Sequence, residues 1–279
     1  MNSIFSYWHF DPGILLLLTG MSLLYLFTTN FKLSNKSLYF AAAVFLMILC
    51  MASPLHFLGE NYLFSAHMLS HVLMILIAGP FIVASLPKEN RFQNQLVFFS
   101  KKIMKTPIIA WLCGLAIMWF WNIPSIFNRL FEMNQVAGIH LMSSLMYLQF
   151  ISMLVAGIIF SWPIVNPYKP YRLGALAGVL YLSTACVFCS LLGLIITFSH
   201  VGTYTHYINI ADNYGFLPMI RNSWKISEAA DQQMAGLIMW VPCCFIYLSA
   251  SMLLLIKWFN CDYKNLPNAK KIGLESLEV

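Results

Sequence analysis

The chain has 279 residues, of which 60% are hydrophobic and only 9% are charged, and its mean hydropathy is +0.73. Soluble domains carry about 25% charged residues, so this composition excludes an ordinary soluble protein and predicts a polytopic membrane protein. The net charge of +6 does not indicate a nucleic-acid partner, because the basic residues are scattered between apolar runs and form no basic face.

Apolar runs of membrane-spanning length recur along the whole chain and predict an all-α integral membrane fold with seven transmembrane helices. They cover residues 13–30, 37–55, 62–86, 107–122, 136–160, 173–198 and 231–257. The connections between them alternate in their content of Lys and Arg, with 13 basic residues on one side and 3 on the other. Because basic residues accumulate in cytoplasmic loops, we predict an outside N-terminus and a cytoplasmic C-terminus.

Two connections have a character of their own within the predicted transmembrane domain, residues 1–258. Between 88 and 105, apolar residues recur at helical spacing among basic ones, which predicts an amphipathic helix on the cytoplasmic surface. The long connection 199–230 is rich in Tyr and Trp, which favours an outer lid at the membrane interface over a free loop. Residues 259–279 are predicted to form a cytoplasmic tail.

The third apolar run carries two histidines, His67 and His71, near its start. Their spacing of four residues places both imidazoles on one face of a helix, with Met68 beside them. An imidazole in hydrocarbon loses its water and needs a hydrogen-bond partner, a metal or a wet cavity. We therefore interpret the pair as metal ligands or a relay.

Two further helices bring candidate ligands to the same depth, since the fifth and seventh runs also enter from the predicted outer side. His140 lies about one turn into the fifth, and Asp231 and Met234 begin the seventh. An Asp in a first turn is equally well explained as a helix cap, and Met234 and Met68 as packing residues. Imidazole with thioether favours copper, with zinc as the alternative.

The cysteines fall mostly inside apolar runs, where a free thiol behaves as a small hydrophobic group. Cys186 and Cys189 form a C-x-x-C pattern that could bind a soft metal or perform redox chemistry. In the middle of a predicted span, we interpret it as core packing.

Three segments carry a resemblance to a known family: FSAHMLSHVLMILIAGPFIVASLP (64–87), IHLMSSLMYLQFISMLVAGIIFSWPIV (139–165) and DQQMAGLIMWVP (231–242). They resemble the polytopic CtaG family of cytochrome c oxidase assembly factors. The resemblance implies that His67, His71, His140 and Asp231 are the family's site residues and that the role is oxidase maturation, with copper handling as the supposed mechanism. Where the family often has a second histidine in the fifth helix, this chain has Ser144.

We therefore expect a non-enzymatic, copper-binding assembly factor (a metallochaperone) in a bacterial plasma membrane, with an oxidase subunit or another copper protein as its partner. Two other classes of function stay open at this point. Histidines and an Asp on seven spans could hold zinc and activate water for amide or ester hydrolysis. Histidines on facing helices could instead be axial ligands of haem in an electron carrier.

Overall fold

A computed structural model describes residues 4–32, 34–136, 144–208, 210 and 212–265 of the chain. Within these ranges the fold is all-helical. The α-helices are α1 (Pro12–Thr28), α2 (Ser37–Met51), α3 (Pro54–Asn61), α4 (Phe64–Leu73), α5 (Gly79–Ser85), α6 (Gln93–Lys105), α7 (Pro107–Trp121), α8 (Pro124–Val136), α9 (Ser144–Val165), α10 (Ala175–Phe198) and α11 (Glu228–Asn265). The all-α membrane fold predicted from composition is confirmed.

The described part of each of the seven predicted runs is mainly helical, but the helices differ in length. Five segments in the described part of the chain are long and apolar enough to cross a membrane: 37–61, 64–85, 145–165, 175–198 and 228–260. Helix α7 qualifies only when joined to α6, and α1 is an apolar helix of 17 residues, about 26 Å long. Five spans, or six with the bent pair, follow from the structure, and the number seven and the orientation of the termini stay predictions.

Helix α6 is the amphipathic segment that the sequence placed on the cytoplasmic surface. It meets α7 at an angle of 89°, the geometry expected when a helix lying on a membrane precedes one that enters it. Its Ser100 hydroxyl accepts a hydrogen bond of 2.9 Å from the Trp162 indole near the end of α9. This contact fixes the surface helix to the bundle.

The segment 64–85 is the most buried of the five spans, with 61% of its most apolar window inside the protein. It is continuous but not uniform, because α4 passes through a π-helical turn, Met74–Ala78, before α5 begins. Pro80 has no N–H to donate, and the Gly79 N–H reaches back to the Met74 carbonyl across five residues. The π turn thus absorbs the register change that Pro80 imposes.

Helix α9 crosses this span where two glycines meet. A Cβ atom at Gly79 would lie 2.6 Å from the carbonyl carbon of Gly157, and one at Gly157 would lie 2.5 Å from the Ile75 carbonyl oxygen. Small residues at such crossings let helix backbones approach closely in a membrane. The α4 part of the same segment contacts α11, so the segment 64–85 lies between α9 and α11.

Gly157→Ala is therefore expected to destabilise the protein by about 1–3 kcal/mol, because the added methyl group meets backbone that cannot move aside. The matched control is Gly20→Ala in α1, where a Cβ has no neighbour within 4 Å and should leave stability unchanged or slightly raised. Thermal unfolding of the detergent-solubilised protein measures both. Equal midpoints for the two variants would contradict the close crossing.

Candidate functional site

The predicted histidine pair lies in α4, and both rings are buried. The His67 and His71 ring centroids are 4.5 Å apart and the ring planes are inclined at 66°. His67 Nε2 and both ring nitrogens of His71 have no hydrogen-bond partner among the described residues. A buried polar group without a partner is costly, so three such nitrogens in one place indicate a site built for a ligand.

Aromatic rings enclose the pair on the side of α8. The His67 ring meets Phe127 at 5.3 Å and Phe131 at 5.4 Å, both edge to face. Phe131 also stacks against the His206 ring, with the centroids 4.0 Å apart. The pair is thus shielded from water by rings that offer no competing ligand atoms.

Asp231 makes the contact that sets the position of the histidine helix. Its Oδ2 accepts a hydrogen bond of 2.7 Å from the Phe64 N–H, and its Oδ1 accepts bonds of 3.1 Å and 2.6 Å from the Ser65 N–H and hydroxyl. The residue before α4, Leu63, provides no side-chain cap. Asp231 therefore caps α4 from a different helix, and its negative charge lies at the positive end of the helix dipole.

The other predicted ligands have separate outcomes. Met68 is fully buried in α4, and Met234 is half-buried in α11, three residues after Asp231. His140 lies outside the described residues. Within the part of the chain that the structure describes, no group of three His, Cys, Asp or Glu side chains is arranged to hold a metal. The described structure thus brings together two of the predicted ligands, His67 and His71, and the metal-binding roles of all six predicted residues stay predictions.

Two more histidines, His56 and His206, lie near His67. His56 Nε2 lies 3.6 Å from a carboxylate oxygen of Glu60, one turn along α3. His206 Nε2 lies 2.8 Å from the Glu60 carbonyl oxygen. A carbonyl oxygen only accepts, so Nε2–H donates this bond. Burial lowers the pKa of His206, and Glu60 partly offsets this shift.

The segment after α10 packs over the N-terminal end of α4. The Tyr204 hydroxyl donates to the Asn122 carbonyl at 3.0 Å and the Tyr207 hydroxyl to the Gly59 carbonyl at 2.5 Å. Both rings also lie against Phe64, at 4.4 Å and 5.2 Å, above the first turn of the histidine helix. Residues 204–207 therefore cover the N-terminus of α4 as well as its cap.

Comparison with known proteins places the chain in one family. The family model described as cytochrome c oxidase caa3 assembly factor (Caa3_CtaG) matches residues 28–260, which includes the capped histidine helix and the helix that caps it. The chain belongs to this family. No curated protein and no solved structure matches it.

One residue of this assembly factor's candidate site was not predicted from the sequence. Gln149 of α9 is completely buried and lies against His71, and neither atom of its amide has a hydrogen-bond partner within the described ranges. The signal was present as a lone amide in the apolar stretch YLQFIS. Its position suits a group that orients the His71 ring or a molecule bound to it.

Asp231→Asn should destabilise the assembly factor by about 1.5–3 kcal/mol, because three donors share the two carboxylate oxygens and an amide directs its NH₂ at one of them. An Asp that only capped its own helix would tolerate Asn, whereas Asp231 caps a different helix through both carboxylate oxygens. Glu228→Gln makes the same chemical change at the start of α11, where the carboxylate is half-exposed and 3.6 Å from Arg221. There the loss should be about 0–1 kcal/mol.

Thermal unfolding of both variants in one detergent provides the measurement. A midpoint for Asp231→Asn that equals the midpoint for Glu228→Gln would show that the cap does not hold α4.

Proposed function

We propose that the chain serves oxidase assembly by holding a copper ion between His67 and His71. The observation that carries the proposal is the buried pair of imidazoles with three ring nitrogens that have no partner among the described residues. Imidazole nitrogens bind both copper states, and a metal about 2 Å from one nitrogen of each ring fits centroids 4.5 Å apart. Copper is here the cargo of the protein.

We propose Met68 and His140 as the rest of the ligand set. Met68 precedes His71 on the same buried helix, and its thioether would favour Cu(I). His140 would be the third ligand, brought by the segment that leads into α9. The predicted topology places this half of the bundle on the outer side of a bacterial plasma membrane, where we propose that the copper passes to an oxidase subunit.

His67→Ala and His71→Ala should each lower cytochrome c oxidase activity in the host membrane and leave the amount of the assembly factor unchanged. Loss of a ligand weakens copper binding, so added copper in the medium should restore part of the activity. The purified protein should bind about one Cu(I) per chain in competition with a chromogenic chelator, and each variant should bind at least tenfold more weakly.

His200→Ala is the matched control. The substitution also removes an imidazole, but this histidine is exposed and lies just after α10. Its oxidase activity and copper affinity should equal those of the parent. Full activity in both buried-histidine variants would overturn the copper proposal. Stoichiometric zinc with amide hydrolysis, or a Soret band in the purified protein, would favour the hydrolase or the haem carrier instead.

Gln149→Leu separates ligand binding from packing at the same site. The substitution removes a buried amide that has no partner among the described residues, so the apoprotein should be as stable as the parent or more stable. If Gln149 orients His71 toward copper, Cu(I) affinity should fall by about 10–100-fold. A stability loss with unchanged affinity would show that Gln149 is only a structural residue.

A further inference from the structure

Four of the cysteines meet at the interface of α10 and α11. Cys186 and Cys189 of the C-x-x-C pattern face the adjacent residues Cys243 and Cys244. Cys189 and Cys243 are fully buried, and Cys189 Sγ also lies 3.8 Å from the Tyr247 hydroxyl. The pattern that the sequence left as simple packing is therefore one half of a cluster of thiols.

The two partly exposed thiols of this cluster, Cys186 and Cys244, lie close to each other. Cys186 Sγ lies 3.2 Å from Cys244 Sγ, and the Ser190 hydroxyl lies 3.3 Å from Cys244 Sγ. A disulfide has its sulfurs about 2.0 Å apart, so side-chain rotation has to close only about 1.2 Å. Ser190 donates its own hydrogen to the Cys186 carbonyl at 2.8 Å, which leaves its oxygen to accept from the Cys244 thiol.

Access to this pair is from the lipid. Cys186 and Cys244 are partly exposed, and the exposed residues around them are apolar, with Val187 at 56% and Phe245 at 70%. Both cysteines lie near the middle of spans that the structure gives as 175–198 and 228–260. A water-soluble oxidant does not reach that depth, whereas a membrane-soluble one does.

We propose that Cys186 and Cys244 form a reversible disulfide by reducing a lipid-soluble quinone. Each thiol gives up its hydrogen, one S–S bond forms, and the two electrons and two protons pass to the quinone, which becomes the quinol. The reverse reaction restores the two thiols. The chain thus carries a two-electron redox site, separate from the histidine pair.

The helices already approach closely enough for the bond. At Gly193 and Gly236 a Cβ would lie within 2.7 Å of the Gly236 and Gly193 carbonyl oxygens respectively, so the backbones touch about two turns from the cysteines. The disulfide therefore links two helices that are in place before it forms. Its main effect is to restrict the unfolded chain, which raises thermal stability.

The test uses the full chain in liposomes, reduced and then exposed to a short-tailed benzoquinone. Per chain, one quinol should appear and two maleimide-reactive thiols should disappear, and mass spectrometry should identify a peptide pair linked through Cys186 and Cys244. The oxidised protein should melt several degrees above the reduced one. Membrane-impermeant ferricyanide should oxidise the pair at least tenfold more slowly.

Cys186→Ser and Cys244→Ser should abolish the quinol, and Cys113→Ser, which removes an exposed thiol on α7, should not. The wild-type quinol yield and linked peptide decide the matter even if a cluster variant folds poorly. The proposal fails if the quinone leaves both thiols free, if the linked pair is Cys189 and Cys243, or if ferricyanide reacts as fast as the quinone.

Discussion

The contact between Asp231 and the first turn of α4 is the constraint on which the candidate site depends. It joins residues separated by 167 positions in the chain and satisfies donors that have no acceptor within α4. Because those donors are buried, the carboxylate determines both where α4 begins and how far it lies along α11. His67 follows Ser65 by about 3 Å along the helix axis, so the depth and direction of its imidazole are set by the same contact.

The fold was largely predictable because hydrocarbon demands helices and apolar composition shows where they lie. The limits of 175–198 and 64–85 fall within a few residues of the predicted runs for that reason. The break in the second run was not predictable in this way. Ser53 caps a new helix, α3, because its hydroxyl oxygen accepts a hydrogen bond from the Leu55 N–H. Composition alone also does not determine the number of spans, because α7 has only 15 residues and lies at 89° to α6.

In the candidate site, too, the features set by local spacing were predictable and those set by contacts between distant helices were not. The pairing of His67 with His71 is a property of four-residue spacing and was read directly from the chain. That Asp231 caps α4 and that Gln149 lies against His71 depend on which helices are in contact. Local sequence patterns do not determine these contacts. The thiol cluster shows this most clearly, because its two halves, Cys186 with Cys189 and Cys243 with Cys244, are each ordinary in sequence and meet only when α10 packs on α11.

The part of the segment 64–85 that carries His67 and His71 is fixed at both of its ends. On the N-terminal side of the pair, Asp231 fixes the first turn of α4. On the C-terminal side, the π turn and the crossing of Gly79 with Gly157 fix the path of the helix. Between these points lie the two imidazoles and the amide of Gln149. Their buried polar atoms have no hydrogen-bond partner among the described residues, and this lowers the stability of the protein without a ligand. A binding site whose ligand atoms are positioned in advance loses little freedom when the ligand arrives. The tight packing on either side therefore offsets the cost of burying these unpaired polar groups, which the proposed copper ion would satisfy.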